Sequence, residues 1–162
     1  MTIIRPIALA DIPAYHAVLD AVARERRWLA MIEAPSLAET EAFITGILNR
    51  SDIMLVAEDA GRIVGWCDIL TPPRETMRHA GTLGIGLLDS HRGRGIGGRL
   101  LAAAIEAARA KGLKRVQLMV LDGNDRARAL YVAHGFVPEG RRRGPVCIDG
   151  RLIDDEVMAL ML

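Results

Sequence analysis

The residues with the clearest chemical potential lie together in Asp89-Ser90-His91-Arg92-Gly93-Arg94-Gly95-Ile96-Gly97-Gly98, where four glycines and two arginines separate a β-rich run from a helical one. Backbone N–H groups unshielded by Cβ atoms, set at the positive end of a helix dipole, make a seat for a phosphate or pyrophosphate. Glycine costs up to ~1 kcal/mol relative to alanine near a helix, so a cluster this dense does more than cap one. Gly93, Gly95 and Gly98 also spell G-x-G-x-x-G, and Asp122 ends the next strand where a ribose-binding acid would sit. Against a dinucleotide-binding protein stand the polar residues between strand and first glycine, the long chain before the unit and the short tail after Asp122. The loop has no G-K-[ST], which excludes a Walker phosphate loop.

The elements that must position this loop follow from periodicity. Thr2–Pro6 reads as a strand, and Asp11–Arg26 carries Ile12, Tyr15, Val18, Leu19 and Val22 at helical spacing. Ser36 and Glu39 form a capping box ahead of a second helix through Phe43, Ile44, Ile47 and Leu48. Ile53–Glu58 and Arg62–Leu70 are β-rich around the turn Asp59-Ala60-Gly61, and His79–Leu88 forms a third strand of the meander. Gly84 and Gly86 in that strand signal a bulge or a close approach. A long helix runs from Ile96 to a C-terminal Gly112. Arg115–Leu121 is a strand, Asn124–His134 a helix, and Phe136–Arg141 and Leu152–Leu162 are closing strands. A helix between two successive strands implies one parallel pair in an otherwise antiparallel sheet.

Arg92-x-x-Gly95-x-Gly97, placed after a glycine-broken strand and before a long amphipathic helix, resembles the R/Q-x-x-G-x-G/A loop of the GNAT superfamily of N-acetyltransferases. Asn124-x-x-Ala127-x-x-Leu130-Tyr131, followed by Gly135-Phe136, resembles a second segment of the same superfamily. The resemblance is specific from about Leu83 to Phe136, and Asp149 to Leu160 also looks like the last strand of its small bacterial members. It implies an α+β fold across 1–162 as one domain: a mostly antiparallel central sheet with one parallel, splayed strand pair and helices on both faces.

The resemblance further implies acetyl-CoA as co-substrate, direct transfer of its acetyl group to a primary amine, and no metal. The cofactor would be held by Leu87, Leu88, Asp89, Arg92, Gly93, Arg94, Gly95, Ile96, Gly97, Gly98, Asn124, Ala127 and Tyr131. A backbone N–H near Leu87 or Leu88 would stabilise the oxyanion, and Tyr131 would protonate the departing thiolate. Asn124 is equally suited to capping its helix. His79 and Asp68, on strands that should border the acceptor pocket, are candidate bases; His79 has the apter ordinary pKa, near ~6.5. Asp89 stands where many members have proline, and Arg92 where glutamine is frequent. The alternative is an acyl-CoA-binding module without turnover.

Composition bounds the partners. A net charge of +1 over 162 residues gives no footprint for nucleic acid, and Arg141, Arg142 and Arg143 read as a solvated strand end. Cys67 and Cys147 lie far apart with no metal-ligand spacing, which fits a reducing cytoplasm. No apolar run is long enough to span a bilayer. Small-molecule amines and peptide or protein N-termini both stay open as acceptors, because Arg24–Arg50, which should shape the pocket, carries mixed charge; a homodimer is a family-level expectation only.

Overall fold

The computed structural model describes residues 1–162. Seven strands form one sheet: β1 (Thr2–Pro6), β2 (Ile53–Asp59), β3 (Arg62–Leu70), β4 (Ala80–Leu87), β5 (Arg115–Leu121), β6 (Val137–Ile148) and β7 (Arg151–Met161), in the order β1-β2-β3-β4-β5-β7-β6. The helices are α1 (Ile12–Ala23), α2 (Leu37–Asn49), α3 (Ile96–Lys111) and α4 (Asp125–Ala133). Every strand pair is antiparallel except β4 and β5. This order has no doubly wound half, and Asp122 is engaged by Arg141, so the dinucleotide reading of Gly93, Gly95 and Gly98 fails.

The two faces of the sheet are covered by different helices because side chains alternate along each strand. On one face Tyr15, Val18, Leu19 and Val22 of α1 and Ile44 and Ile47 of α2 pack on Met54, Val56 and Trp66. On the other Leu100, Leu101, Ala104, Ile105 and Ala108 of α3 pack on Cys67, Ile69, Val116 and Leu118, joined by Tyr131 and Phe136. Small alanines let α3 lie close to the sheet.

Local signals act as expected at several ends. The Ser36 hydroxyl accepts from the Glu39 amide at 3.2 Å while the Glu39 carboxylate accepts from the Ser36 amide at 2.9 Å, a reciprocal cap. Gly112, at φ +83°, ends α3. Three expectations need correction. The first helix stops at Ala23, and Arg26 lies in the left-handed region at φ 56°. The strand expected over Phe136–Arg141 extends to Ile148, because it hairpins onto β7 through Asp149 and Gly150, both of positive φ. Arg141 and Arg142 consequently sit mid-strand and not at a strand end; they are solvent-exposed as expected and pair with Asp122, Asp154 and Asp155. No helix is long and apolar enough to cross a membrane.

Candidate active site

The parallel pair is short. β4 and β5 are in register only at Ala80↔Arg115, Gly81↔Val116 and Thr82↔Gln117, after which the strands diverge. Gln117 reaches across to the Thr82 hydroxyl at 3.4 Å and pins the apex of the split. Leu88 N–H donates to the Val64 carbonyl at 2.9 Å, and hydrogen-bonded pairs alternate along an antiparallel ladder. Ile85 therefore turns its amide and carbonyl, and Leu87 its amide, away from β3 and into the split, while the Leu87 carbonyl is taken by Arg92. The expectation of a donor at Leu87 or Leu88 narrows accordingly: the Leu88 amide is already used, and the Leu87 and Ile85 amides face the cleft.

The expected bulge is absent, since β3 and β4 keep one register from Gly65↔Leu87 to Leu70↔Thr82. The glycines serve facing side chains instead. A Cβ on Gly86 would collide with the Trp66 ring, and one on Gly84 would lie 3.1 Å from Asp68 Oδ2. Bulky β3 residues thus fold flat over a bare stretch of β4.

At the end of β4 the chain passes through Leu88 and a helical turn, Asp89–His91, to the glycine loop. Gly93 and Gly95 have φ of 76° and 77°, which side chains resist. Gly95 is the N-cap of α3 and no side chain caps that helix, so its first amides retain donor capacity for an anion. Ile96 is buried in the core and anchors the helix start; Gly97 lies against Leu87 and Leu130, and Gly98 against Leu130 and His134.

Both loop arginines point elsewhere. Arg92 Nη2 and Nη1 bind the Glu25 carboxylate at 2.6 and 2.8 Å, and its Nε and Nη2 donate to the Leu87 carbonyl at 3.0 and 2.7 Å. The Trp28 indole donates to the same carboxylate at 2.7 Å. These donors, led by Arg92, hold the Glu25 carboxyl below its ordinary range against the opposing effect of burial. Arg94 lies 3.7 Å from Asp59. Asp89 is 88% exposed, 3.3 Å from Arg92. Glu25, Trp28 and Asp59 had no sequence signal linking them to the loop, because their partners lie far along the chain.

Asp68 and Tyr131 occupy opposite faces of the sheet. Asp68 is opposite Gly84, two residues beyond the apex, on the face shared by Tyr15 and Trp66. It is 9% exposed, and burial pushes its pKa up to about 7 despite the opposing influence of Trp66 and the Gly84 amide. Tyr131 packs on the α3 face with its ring centroid 5.9 Å from that of Phe136. Burial, with a smaller contribution from Cys67, raises its phenol above the ordinary tyrosine value. Asn124 accepts from the Ala127 amide at 3.3 Å and caps α4, so the capping role is present. His79 is exposed at the start of β4, where its carbonyl accepts from Lys114 and Arg115; it lies at the joined end of the pair, away from the split. The structure thus places Asp68 beside β4 on the α1 face, Tyr131 in the core of the opposite face and the glycine loop at the end of β4, and leaves His79 apart.

An open groove of about 720 Å³ borders this mouth on the α1 side, lined by Ala21, Glu25, Arg27, Leu88, Asp89 and Ser90. The residues fit a long ligand that is anionic at one end: uncapped amides at α3, then an unpaired strand edge that an amide-bearing arm could extend.

Residues 16–136 match the sequence model of the acetyltransferase (GNAT) family. YycN of Bacillus subtilis, an uncharacterised N-acetyltransferase, is 38% identical over 46% of this chain, and the match spans about half (47%) of that protein. The L-methionine sulfoximine/L-methionine sulfone acetyltransferase of Pseudomonas paraeruginosa is 29% identical over 98% of this chain and 94% of its own. Among solved structures, a GNAT-family acetyltransferase from Streptococcus pneumoniae superposes with a TM-score of 0.93 at 31% identity, covering 100% of both chains. Salmonella typhimurium YncA, solved with its cofactor acetyl-CoA, shares the fold at a TM-score of 0.94 and 20% identity over 100% of this chain and 94% of its own. Seven strands with one splayed parallel pair, two matching motifs and a family match over most of its length establish that the chain belongs to the GNAT acetyltransferase family.

Proposed function

We propose that this acetyltransferase transfers an acetyl group from acetyl-CoA to a primary amine by direct attack, with Asp68 as base and Tyr131 as general acid. The observation that carries the reading is the disposition of these two groups on opposite faces of the sheet beside one split. An acceptor approaching under α1 meets Asp68, while the cofactor arm lies against β4 within reach of α4.

Bound acetyl-CoA supplies an acetyl thioester. The amides at the start of α3 hold its pyrophosphate, and the open backbone edge at Ile85 and the Leu87 amide pairs with its pantetheine. Asp68 takes one proton from the incoming ammonium, directly or through water, which frees the amine lone pair for attack; a carboxyl with a pKa of about 7 is matched to that task at neutral pH. The second nitrogen proton passes to solvent as the adduct collapses to the amide. The Ile85 or Leu87 amide stabilises the developing oxyanion. As the carbon–sulfur bond breaks, Tyr131 donates its proton to the thiolate and regains one from solvent. The raised phenol pKa keeps that proton in place across neutral pH.

A small amine is the first acceptor to test, because the relative that is similar over nearly its full length acts on methionine sulfoximine and sulfone. Peptide N-termini form the second arm. The test is a thiol-release assay with acetyl-CoA across such a panel. Amine-dependent thiol release with a stoichiometric N-acetyl product supports the reading, whereas cofactor binding without it would identify a binding module.

A further inference from the structure

The glycine loop has two arginines of its own, yet Arg92 is held by Glu25, and Arg94 turns toward Asp59, 3.7 Å away. The arginine pressed against the loop comes from α4. Arg126 lays its guanidinium on Gly93 so closely that a Cβ there would collide with Nη2. Gly93 also has a φ of 76°, and that backbone conformation is what favours glycine there.

Arg126 is oddly placed for a structural residue. It occupies the first turn of α4, where the helix dipole disfavours a cation. Arg128 on the same helix is tied to Glu156, but no carboxylate lies within ion-pair distance of Arg126. It is exposed, so packing does not explain it. Its surroundings add positive potential, because the uncapped start of α3 is next to the loop it covers. An uncompensated cation beside helix amides that lack a cap is complementary to an anion.

We propose that Arg126 is a phosphate-binding residue of the cofactor site, closing over the glycine loop and joining the coenzyme's phosphates to α4, the helix that carries Tyr131. This rests on the acetyl-CoA reading above. It assigns the phosphate charge contact to the second motif and not to the arginine of the first. Because Asn124, Arg126 and Tyr131 share one short helix end to end, phosphate binding at Arg126 would also set the position of the phenol.

The test is calorimetric binding of CoA and dephospho-CoA to the wild-type protein, Arg126→Ala and Arg126→Lys, at low and high salt, with unliganded thermal melts alongside. The expected result is a loss of CoA affinity on the order of tenfold or more in Arg126→Ala, as for a charge-assisted hydrogen bond. The salt dependence should become shallower, Arg126→Lys should partly restore affinity, and the unliganded melts should be unchanged. A penalty that persists with dephospho-CoA places the contact at the pyrophosphate, and one that disappears places it at the 3′-phosphate; both support the proposal. CoA affinity within twofold of wild type in Arg126→Ala, at both salt concentrations, overturns it while leaving the acetyltransferase reading intact. Failure of the wild-type protein to bind CoA at all would overturn both.

Discussion

Arg92 grips Glu25 with two hydrogen bonds of 2.6 and 2.8 Å while also donating twice to the Leu87 carbonyl. One guanidinium thereby ties the segment after α1, which borders the open groove on that side, to the last residue of the β4 edge. The pair is partly shielded, at 18% and 27% exposure for the two side chains, so it is worth more than a surface ion pair.

Arg92→Ala should destabilise more than Glu25→Gln, since it also strips the donors from the Leu87 carbonyl. Losses of about 1–3 kcal/mol are expected for Arg92→Ala in urea denaturation. In kinetics, Glu25→Gln should raise the KM for the acceptor more than the KM for acetyl-CoA. Equal rises in both would show that the pair does not tie the acceptor side to the loop.

Asp68 makes the pH dependence specific. Its pKa in the folded chain, about 7, lies above the ordinary aspartate value of 3.8. The native state therefore holds a proton that the unfolded chain has lost between roughly pH 4 and 7. Its contribution to stability is fully present below that window, falls as pH rises through it and is lost above. Asp68→Asn should accordingly be more stable than wild type at pH 8 and close to it at pH 4.5, as read by denaturant titration. The same ionisation should give kcat/KM a rising limb centred near pH 7. Asp68→Asn should remove that limb and lower kcat by about 10²-fold or more. A limb unchanged in Asp68→Asn would assign the base elsewhere.

What the sequence made legible was local. Strand and helix periods, the Ser36–Glu39 cap, the turn at Gly61 and the two spaced motifs each reside in a few consecutive residues, and most lie where the sequence placed them, the ends of α1 and β6 excepted. The partners were not local. Glu25 to Arg92, Arg94 to Asp59 and Arg126 to Gly93 all depend on the tertiary path of the chain. Asp68 illustrates the point: its ordinary carboxylate type favoured His79, and only burial against Trp66 and Gly84 brings its pKa to a useful value. The strand glycines misled for a related reason, because a glycine that makes room for a neighbour across the ladder looks, along the chain, like one that makes a bulge.

That distinction is testable. Gly86→Ala would drive a methyl into the Trp66 ring, whereas a Cβ on Gly140 meets nothing within 4 Å. Gly86→Ala should cost about 1–3 kcal/mol and shift Trp66 fluorescence, and Gly140→Ala should leave stability within about 0.5 kcal/mol of wild type. Equal effects would mean that Gly86 is not there for Trp66.

Tyr131→Phe separates chemistry from packing. The ring is buried against Phe136 and Cys67, so removing only the hydroxyl preserves the apolar contact that anchors α4. Cofactor affinity and melting temperature should consequently change little. If the phenol protonates the thiolate, kcat should fall by about 10²-fold or more, with a smaller loss for acyl donors whose thiol leaves more readily. Since burial raises the phenol pKa, wild-type activity should show no falling limb from Tyr131 below about pH 9. An unchanged kcat in Tyr131→Phe, with tight cofactor binding retained, would leave the residue as a core aromatic and require solvent to supply the proton.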